Sequence, residues 1–426
     1  MYIEKAKNIK NNWWRYFLVG PLIIFTFWQI IGAIPFGVGF ALNADLDTLT
    51  AENSSDMAYM FSVFPSKNIG IALFLLMFVF GFVGLYLTTK YIHKQTFISL
   101  TTSRKKIDFS RVFYSFILVI IISVIGFTIG YFLSPEDYEL TFNLNQFLVL
   151  LLICFTLLPI QTSFEEYLMR GYLLQGIGIC TKSRALAFTI PSILFGLLHF
   201  ANPEVDKFGN EFIIAYILMG FFLGAITLMD EGLELALGWH FANNIIAAAL
   251  VTADWSALQT NAIFTYVGDP DVVTMILPSL IIFPLLIYHF SVKYKWSGWK
   301  EKLFGFVSEP DPSKEEKTKK TFSTKLNEDQ EKWLGLIDIR VNTIPFDFIE
   351  RTYTVETLGE EHFSEYKMNE SRIPKDERKK VALNRVEGLL SIKDYINENG
   401  TKQQKFHYES SVKGAKLYAS SLGLKV

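Results

Sequence analysis

Eight runs of predominantly apolar residues occupy the chain up to Phe290, at about 17–42, 68–89, 112–133, 145–176, 185–200, 212–229, 233–251 and 272–290. A helix needs roughly 20 such residues to cross about 30 Å of hydrocarbon, and these runs reach or approach that length. Inside lipid each segment must satisfy its own backbone N–H and C=O groups, so runs separated by polar loops fold as helices. The pattern predicts an all-α membrane protein with about eight transmembrane helices. The first run is too long for a cleaved signal and no small-residue cleavage site stands before the next loop, so it is expected to remain as an anchor.

Charge placement adds an orientation. Lys5, Lys7, Lys10 and Arg15 precede the first run, and Lys90, Lys94, Arg104, Lys105, Lys106 and Arg111 separate the second from the third. Lys182 and Arg184 follow the fourth run, and Lys293, Lys295, Lys300 and Lys302 flank the end of the last. The alternate loops are acidic: Asp45, Asp47, Glu52 and Asp56; Glu136, Asp137 and Glu139; Glu204 and Asp206; Asp254, Asp269 and Asp271. Basic loops stay in the cytoplasm, so both termini are expected there. The turn Asp230–Glu234 is acidic on the side expected inside, but acidic residues weigh little in this rule. Abundant Lys, Asn, Ile and Phe resemble a low-GC bacterial proteome, which predicts the bacterial cytoplasmic membrane.

The formal net charge of −2 argues against a nucleic-acid partner, whose phosphates demand a basic surface. The bilayer is the partner the composition calls for, with half of all residues hydrophobic and 39 phenylalanines among 426. Cys154 and Cys180 lie in or beside apolar runs and form no CxxC or zinc pattern, which makes them buried structural thiols.

From about Lys295 the chain turns polar and charge-mixed. This divides it into a membrane domain over 1–295, a linker over 296–312 containing Pro310 and Pro312, and a cytosolic region over 313–426 whose role is not readable. A Lys/Glu-rich stretch, Ser313 to Lys332, opens that region. Leu383, Val386 and Leu390 have helical spacing within Lys375–Ile396, whereas Trp333 to Thr354 contains apolar pieces suited to short strands.

Ionisable groups at bilayer depth are expensive and mark function. The fourth run holds Glu165, Glu166 and Arg170; the fifth ends in FGLLH at His199; the seventh carries His240 and Asn244 in HFANN. On a helix Glu166 and Arg170 share a face and can pair, which leaves Glu165, rotated by about 100°, available. His240 and Asn244, also four apart, point the same way. Taken singly, EExxxR reads equally as a solvated helix end and a lone histidine as a packed core residue. Taken together, these groups can supply the partners that each needs in an apolar interior.

A rise of about 1.5 Å per residue puts Glu165 and His199 both roughly 20 Å from the loop between the fourth and fifth runs. His240 lies only roughly 12 Å past the turn at Gly232, a difference that tilt or a helix break has to absorb. The fourth run is too long for one straight span, which predicts a kink near Pro159.

EEYLMR, FGLLH and HFANN, in that order on successive apolar helices, resemble the EExxxR, FxxxH and HxxxN/D motifs of the CAAX-processing and bacteriocin-processing membrane proteases, the CPBP or ABI family. The resemblance covers about 161–245, and the tail from Lys295 lies outside it. It implies an intramembrane endopeptidase in which Glu165 and His199 activate a water. His240 and Asn244 would bind the oxyanion, with Glu166 and Arg170 orienting the helix. The implied substrate is a membrane-associated protein or peptide, prenylated for some members and linked to bacteriocin maturation or self-immunity for others.

The chemistry is sound in itself. A carboxylate in a dry cavity is a competent general base, and His and Asn donors aimed at a tetrahedral oxyanion stabilise it by several kcal/mol. No cofactor is expected. The rival is a catalytic zinc on Glu165, His199 and His240, the right ligand types with one position left open, although HExxH is absent. Ser163 stands in no GxSxG elbow. Two other classes stay open: a non-catalytic scaffold whose polar cluster locks helices together, and a proton-coupled transporter, which would more often show paired broken helices and internal repeats.

Overall fold

A computed structural model describes residues 1–45, 50, 57–307, 326–343 and 352–426, in two compact units, Met1–Glu309 and Pro310–Val426. Asp47, Glu52, Asp56, Pro310, Pro312 and the opening of the Ser313–Lys332 stretch lie outside the described residues, as does most of 344–354.

Every apolar run of the first unit is helical. These helices are α1 (Arg15–Asn43), α2 (Lys67–His93), α3 (Phe109–Leu133), α4 (Leu144–Thr181), α5 (Arg184–Leu197), α6 (Asn210–Asp230), α7 (Glu234–Ala249) and α8 (Val272–Tyr294). Six of them, all but α5 and α7, are long and apolar enough to cross a membrane, and the chain is an integral membrane protein. The exceptions, with 14 and 16 residues, adjoin or carry the histidine motifs.

Local sequence sets the helix ends. Ser66, Asp108, Asn143, Ser183 and Asp271 each accept a hydrogen bond from a first-turn N–H, starting α2, α3, α4, α5 and α8. Left-handed residues stop four helices: Lys94 after α2, Lys182 after α4, Glu231 after α6 and Lys295 after α8. Long α4 is broken at Leu157, two residues before Pro159, because proline lacks the N–H that would continue the ladder. The break falls beside Pro159, the expected position of the kink.

The two ends of this unit are chemically distinct. At one end Arg104 pairs with Asp230 and Glu234, Arg111 with Asp230, Arg184 with Glu4 and Lys302 with Glu231. The acidic Asp230–Glu234 turn is therefore neutralised by the basic loops around it. At the other end Tyr138–Leu140 (β1), Val251–Thr252 (β2) and Phe264–Tyr266 (β3) form a small sheet in the order β1-β3-β2, antiparallel then parallel. Lys207 pairs with Asp269 there, and the Glu204 carboxylate accepts the Ala257 N–H.

The unit also runs beyond the expected boundary at 295. The stretch to Val307, expected as a linker, packs on it: Leu303 and Val307 are buried, Trp296 Nε1 donates to Asp230, and Val307 N donates to Lys182 O. Apolar side chains at 303 and 307 override the polar average of this stretch.

The second unit is helical. Its core joins α9 (Glu328–Thr343), α10 (Val355–Met368), α11 (Arg378–Ser391), α12 (Lys393–Asn399) and α13 (Lys402–Ser421). The strands expected in Trp333–Thr354 give way to α9 as far as Thr343, because Trp333, Ile337 and Val341 recur every four residues and pack on one core. The helix around Val386 is present, but its buried face runs through Ala382, Val386 and Leu389, leaving Leu383 and Leu390 exposed. Burial beside Arg340 pushes the His362 imidazole down to about 3, so this histidine packs as a neutral ring.

Candidate active site

Three segments of the first unit converge on one polar cluster. The two glutamates stand at the end of the regular stretch Leu158–Glu166 of α4, where the helix widens into a π-helical turn, Tyr167–Leu173. The same widening occurs in α1 at Arg15–Val19 and Thr26–Ile31 and in α2 at Thr88–His93, so it is the side chains that mark this site. Glu166 is fully buried, and its Oε1 accepts two bonds, each of 2.8 Å, from Arg170 Nη1 and His240 Nδ1. Arg170, 1% exposed, also donates from Nη2 to Gly220 O at 3.3 Å and lies over the Phe195 ring, 4.2 Å from its centroid. Buried charges survive only when paired in this way.

Glu165 has the opposite character. Its side chain keeps 16% exposure, Oε1 accepts from Gln161 Nε2 at 2.6 Å, and Oε2 faces His240 Nε2 at 3.5 Å. Gln161 Oε1 in turn accepts from Asn244 Nδ2 at 3.0 Å, and Asn243 donates to Asn244 Oδ1 at 3.2 Å. Two hydrogen-bonded sets, Glu166 with Arg170 and His240, and Glu165 with Gln161 and Asn244, thus meet where His240 Nε2 faces Glu165. The depth difference expected for His240 is absorbed, since both of its ring nitrogens meet the glutamate pair.

His199 is beside these sets and not hydrogen-bonded into either. It sits in a turn two residues past α5, within electrostatic range of Glu165, His240 and Arg170. Its Nδ1 lies 2.7 Å from the Phe195 carbonyl, and its ring stacks on Tyr216 with centroids 4.2 Å apart. A carbonyl only accepts, so Nδ1 carries the hydrogen and Nε2 presents a lone pair.

Two participants escaped the sequence reading. Gln161 is four residues before Glu165, so helical spacing within an apolar run was a usable signal. Tyr216 gives no such signal, because its place opposite His199 comes from the packing of α6 against α5. Phe195 is visible as the start of FGLLH, but its contact with Arg170 is not.

The site falls inside the region a family profile recognises. The profile described as "Type II CAAX prenyl endopeptidase Rce1-like" matches residues 144–246. Among curated proteins, the uncharacterised protein YyaK of Bacillus subtilis (strain 168) is 30% identical over 243 residues, covering 57% of this chain and 79% of YyaK. The chain belongs to the Rce1-like family. No solved structure matches it. Membership makes the chain a protease embedded in a membrane and acting on protein or peptide substrates, and the Rce1-like match includes Glu165, Glu166, Arg170, His199, His240 and Asn244.

The donor set was weighed for zinc. Among the described residues no three His, Cys, Asp or Glu side chains group closely enough to hold a metal ion. Within the Rce1-like site, Glu166 holds His240 Nδ1 and a backbone carbonyl holds His199 Nδ1, which leaves Nε2 as the nitrogen each ring could offer to a metal.

Proposed function

We propose that this protein hydrolyses a peptide bond of a membrane-associated protein or peptide with a water activated by Glu165 and His199, without a metal. The observation that carries the reading is the contrast between two adjacent glutamates. Glu166 is buried and committed to Arg170 and His240, whereas Glu165 is partly exposed and has one oxygen held by Gln161. The first is built to be permanent and the second to react.

In this mechanism a water lies between the Glu165 carboxylate and the Nε2 lone pair of His199. The carboxylate takes its proton as the oxygen attacks the substrate carbonyl, and later returns that proton to the leaving amine. His240, whose Nδ1–H is held by Glu166, faces Glu165 with Nε2, and in this mechanism it acts as the doubly protonated ring, donating its Nε2–H to the oxyanion. Asn244 supplies the second donor, redirected from Gln161. One such donor is typically worth about 3–4 kcal/mol of transition-state stabilisation. Glu166 and Arg170 act as positioning residues that hold α4 against α6 and α7.

The test is cleavage of a library of membrane-protein segments and CAAX-type peptides, prenylated and unprenylated, by purified wild type and Glu165→Gln with and without a strong zinc chelator. Loss of about a hundred- to ten-thousandfold in the variant, with wild type indifferent to chelator, is expected from removing the base. Chelator sensitivity moves the site to zinc. Unimpaired cleavage by Glu165→Gln removes Glu165 from the reaction. We also assign the protein to a bacterial cytoplasmic membrane with both termini in the cytoplasm, on the charge pattern of its loops.

A further inference from the structure

Among the described residues, no motif side chain hydrogen-bonds to His199, so something else must set its ring. A histidine anchored at Nδ1 alone retains a broad χ2 well, because terminal sp³–sp² torsions are weakly staggered. The Tyr216 ring closes off that freedom. It stacks on the imidazole, with centroids 4.2 Å and planes 19° apart, whereas the Phe195 ring meets the same imidazole at 4.7 Å with a 51° tilt.

Tyr216 is itself held on several sides. The Asn202 amide donates to its hydroxyl at 3.2 Å, and the hydroxyl lies beside the Glu204 carboxylate, near enough to interact. Glu204 also accepts the Ala257 N–H at 2.8 Å, which ties it to the loop between β2 and β3. A ladder of rings makes the same connection. Phe212 meets Tyr216 at 5.6 Å, Phe208 meets Phe212 at 5.1 Å, and Trp255 of that loop meets Phe208 edge-on at 4.9 Å. Phe212 and Tyr216 are four apart along α6, so both rings lie on one side of it, and the chain reversal at Gly209 brings Phe208 to them.

We propose that Tyr216 is a positioning residue of the active site, whose ring fixes the His199 imidazole in the plane that aims Nε2 towards Glu165. The proposal rests on the reading above that His199 helps to activate the water. It assigns α6 a part in the chemistry beyond its backbone contact with Arg170. The aromatic ring is the part that acts, and the hydroxyl serves to anchor it.

The test reads ring geometry and turnover separately, on the full chain in lipid nanodiscs. Histidine side chains are labelled with ¹⁵N, and the His199 signals are identified by their loss in His199→Gln. Wild type and Tyr216→Phe are expected to show one protonated and one lone-pair nitrogen, the signature of a fixed Nδ1–H tautomer. In Tyr216→Met the two signals move towards each other as the ring reorients. Peptide cleavage should follow: Tyr216→Phe stays within about threefold of wild type, whereas Tyr216→Met loses about ten- to a hundredfold in kcat at little-changed KM, the scale of a misaligned reactant. Should Tyr216→Met fail to fold, Tyr216→Leu serves in its place. Unaltered His199 signals in the folded variant overturn the proposal, as does Tyr216→Phe proving as damaging as Tyr216→Met. If wild type cleaves nothing, the proteolytic reading fails, and the nitrogen signals still judge the positioning role.

Discussion

At the scale of single residues, the cluster divides into groups that stabilise and groups that react, and the two answer differently to mutation. Glu166 and Arg170 are both buried and joined at 2.8 Å. Removing either leaves the other charged in a dry interior, so Glu166→Ala and Arg170→Ala are each expected to lose about 3–5 kcal/mol of stability. Thermal unfolding of the purified variants measures this, and a midpoint unchanged from wild type would show the pair to be dispensable. Glu165→Gln should unfold near wild type, because its side chain is partly exposed and glutamine still accepts from Gln161. How much of this was legible follows from range. The Glu166–Arg170 pair and the shared face of His240 and Asn244 are four-residue relations that helical geometry fixes. The meeting of His240 with Glu166 spans 74 positions and rests on tertiary packing, which the motifs hinted at through the need for partners at depth. Tyr216 carried no hint, since an aromatic residue in an apolar helix looks like any other.

At the scale of elements, a close contact between α5 and α6 holds the site in register. Gly220 of α6 lies against Ser192 of α5, where an added Cβ would come 2.2 Å from the Ser192 carbonyl oxygen. The Gly220 carbonyl also accepts from Ser192 Oγ and Arg170 Nη2. Small residues permit this approach in membrane helices. Gly220→Ala is therefore expected to push α6 from α5, costing about 1–3 kcal/mol and most of the cleavage activity. Gly126→Ala on α3, whose added Cβ meets nothing within 4 Å, is the control and should match wild type. A Gly220→Ala protein as stable and active as that control would show the contact to be slack. Helix existence was readable throughout this unit because apolar length decides it, and several boundaries followed from capping side chains such as Asp108 and Ser183. Trp333–Thr343 misled because a short apolar piece fits strand and helix alike until its four-residue recurrence is given weight.

At the scale of the whole membrane unit, the loops sort into two ends. Glu4, Arg104, Arg111, Arg184, Glu231, Glu234 and Lys302 are joined by ion pairs to one another or to Asp230, so the N-terminal segment and the loops after α2, α4, α6 and α8 meet at one end. The loops after α3, α5 and α7 meet at the other through β1, β2, β3 and the contacts of Glu204 and Lys207. The acidic Asp230–Glu234 turn, which fits poorly with a count of loop charges alone, belongs to the basic end because the arginines there bind it. Short helices make the path unusual: at about 1.5 Å per residue, α5 and α7 span only roughly 21 and 24 Å, so polar groups must complete the crossing within the shelter of longer neighbours. Single cysteines placed at Asp137, Asp206 and Asp254 in a background lacking Cys154 and Cys180 should react with an impermeant maleimide on intact cells. Cysteines at Lys105 and Glu231 should react only after permeabilisation. The reverse pattern inverts the protein in its membrane. Protection at Asp206 with labelling at Asp137 would instead mean that α5 turns back before reaching the far side, and His199 would then lie at the bottom of a re-entrant segment.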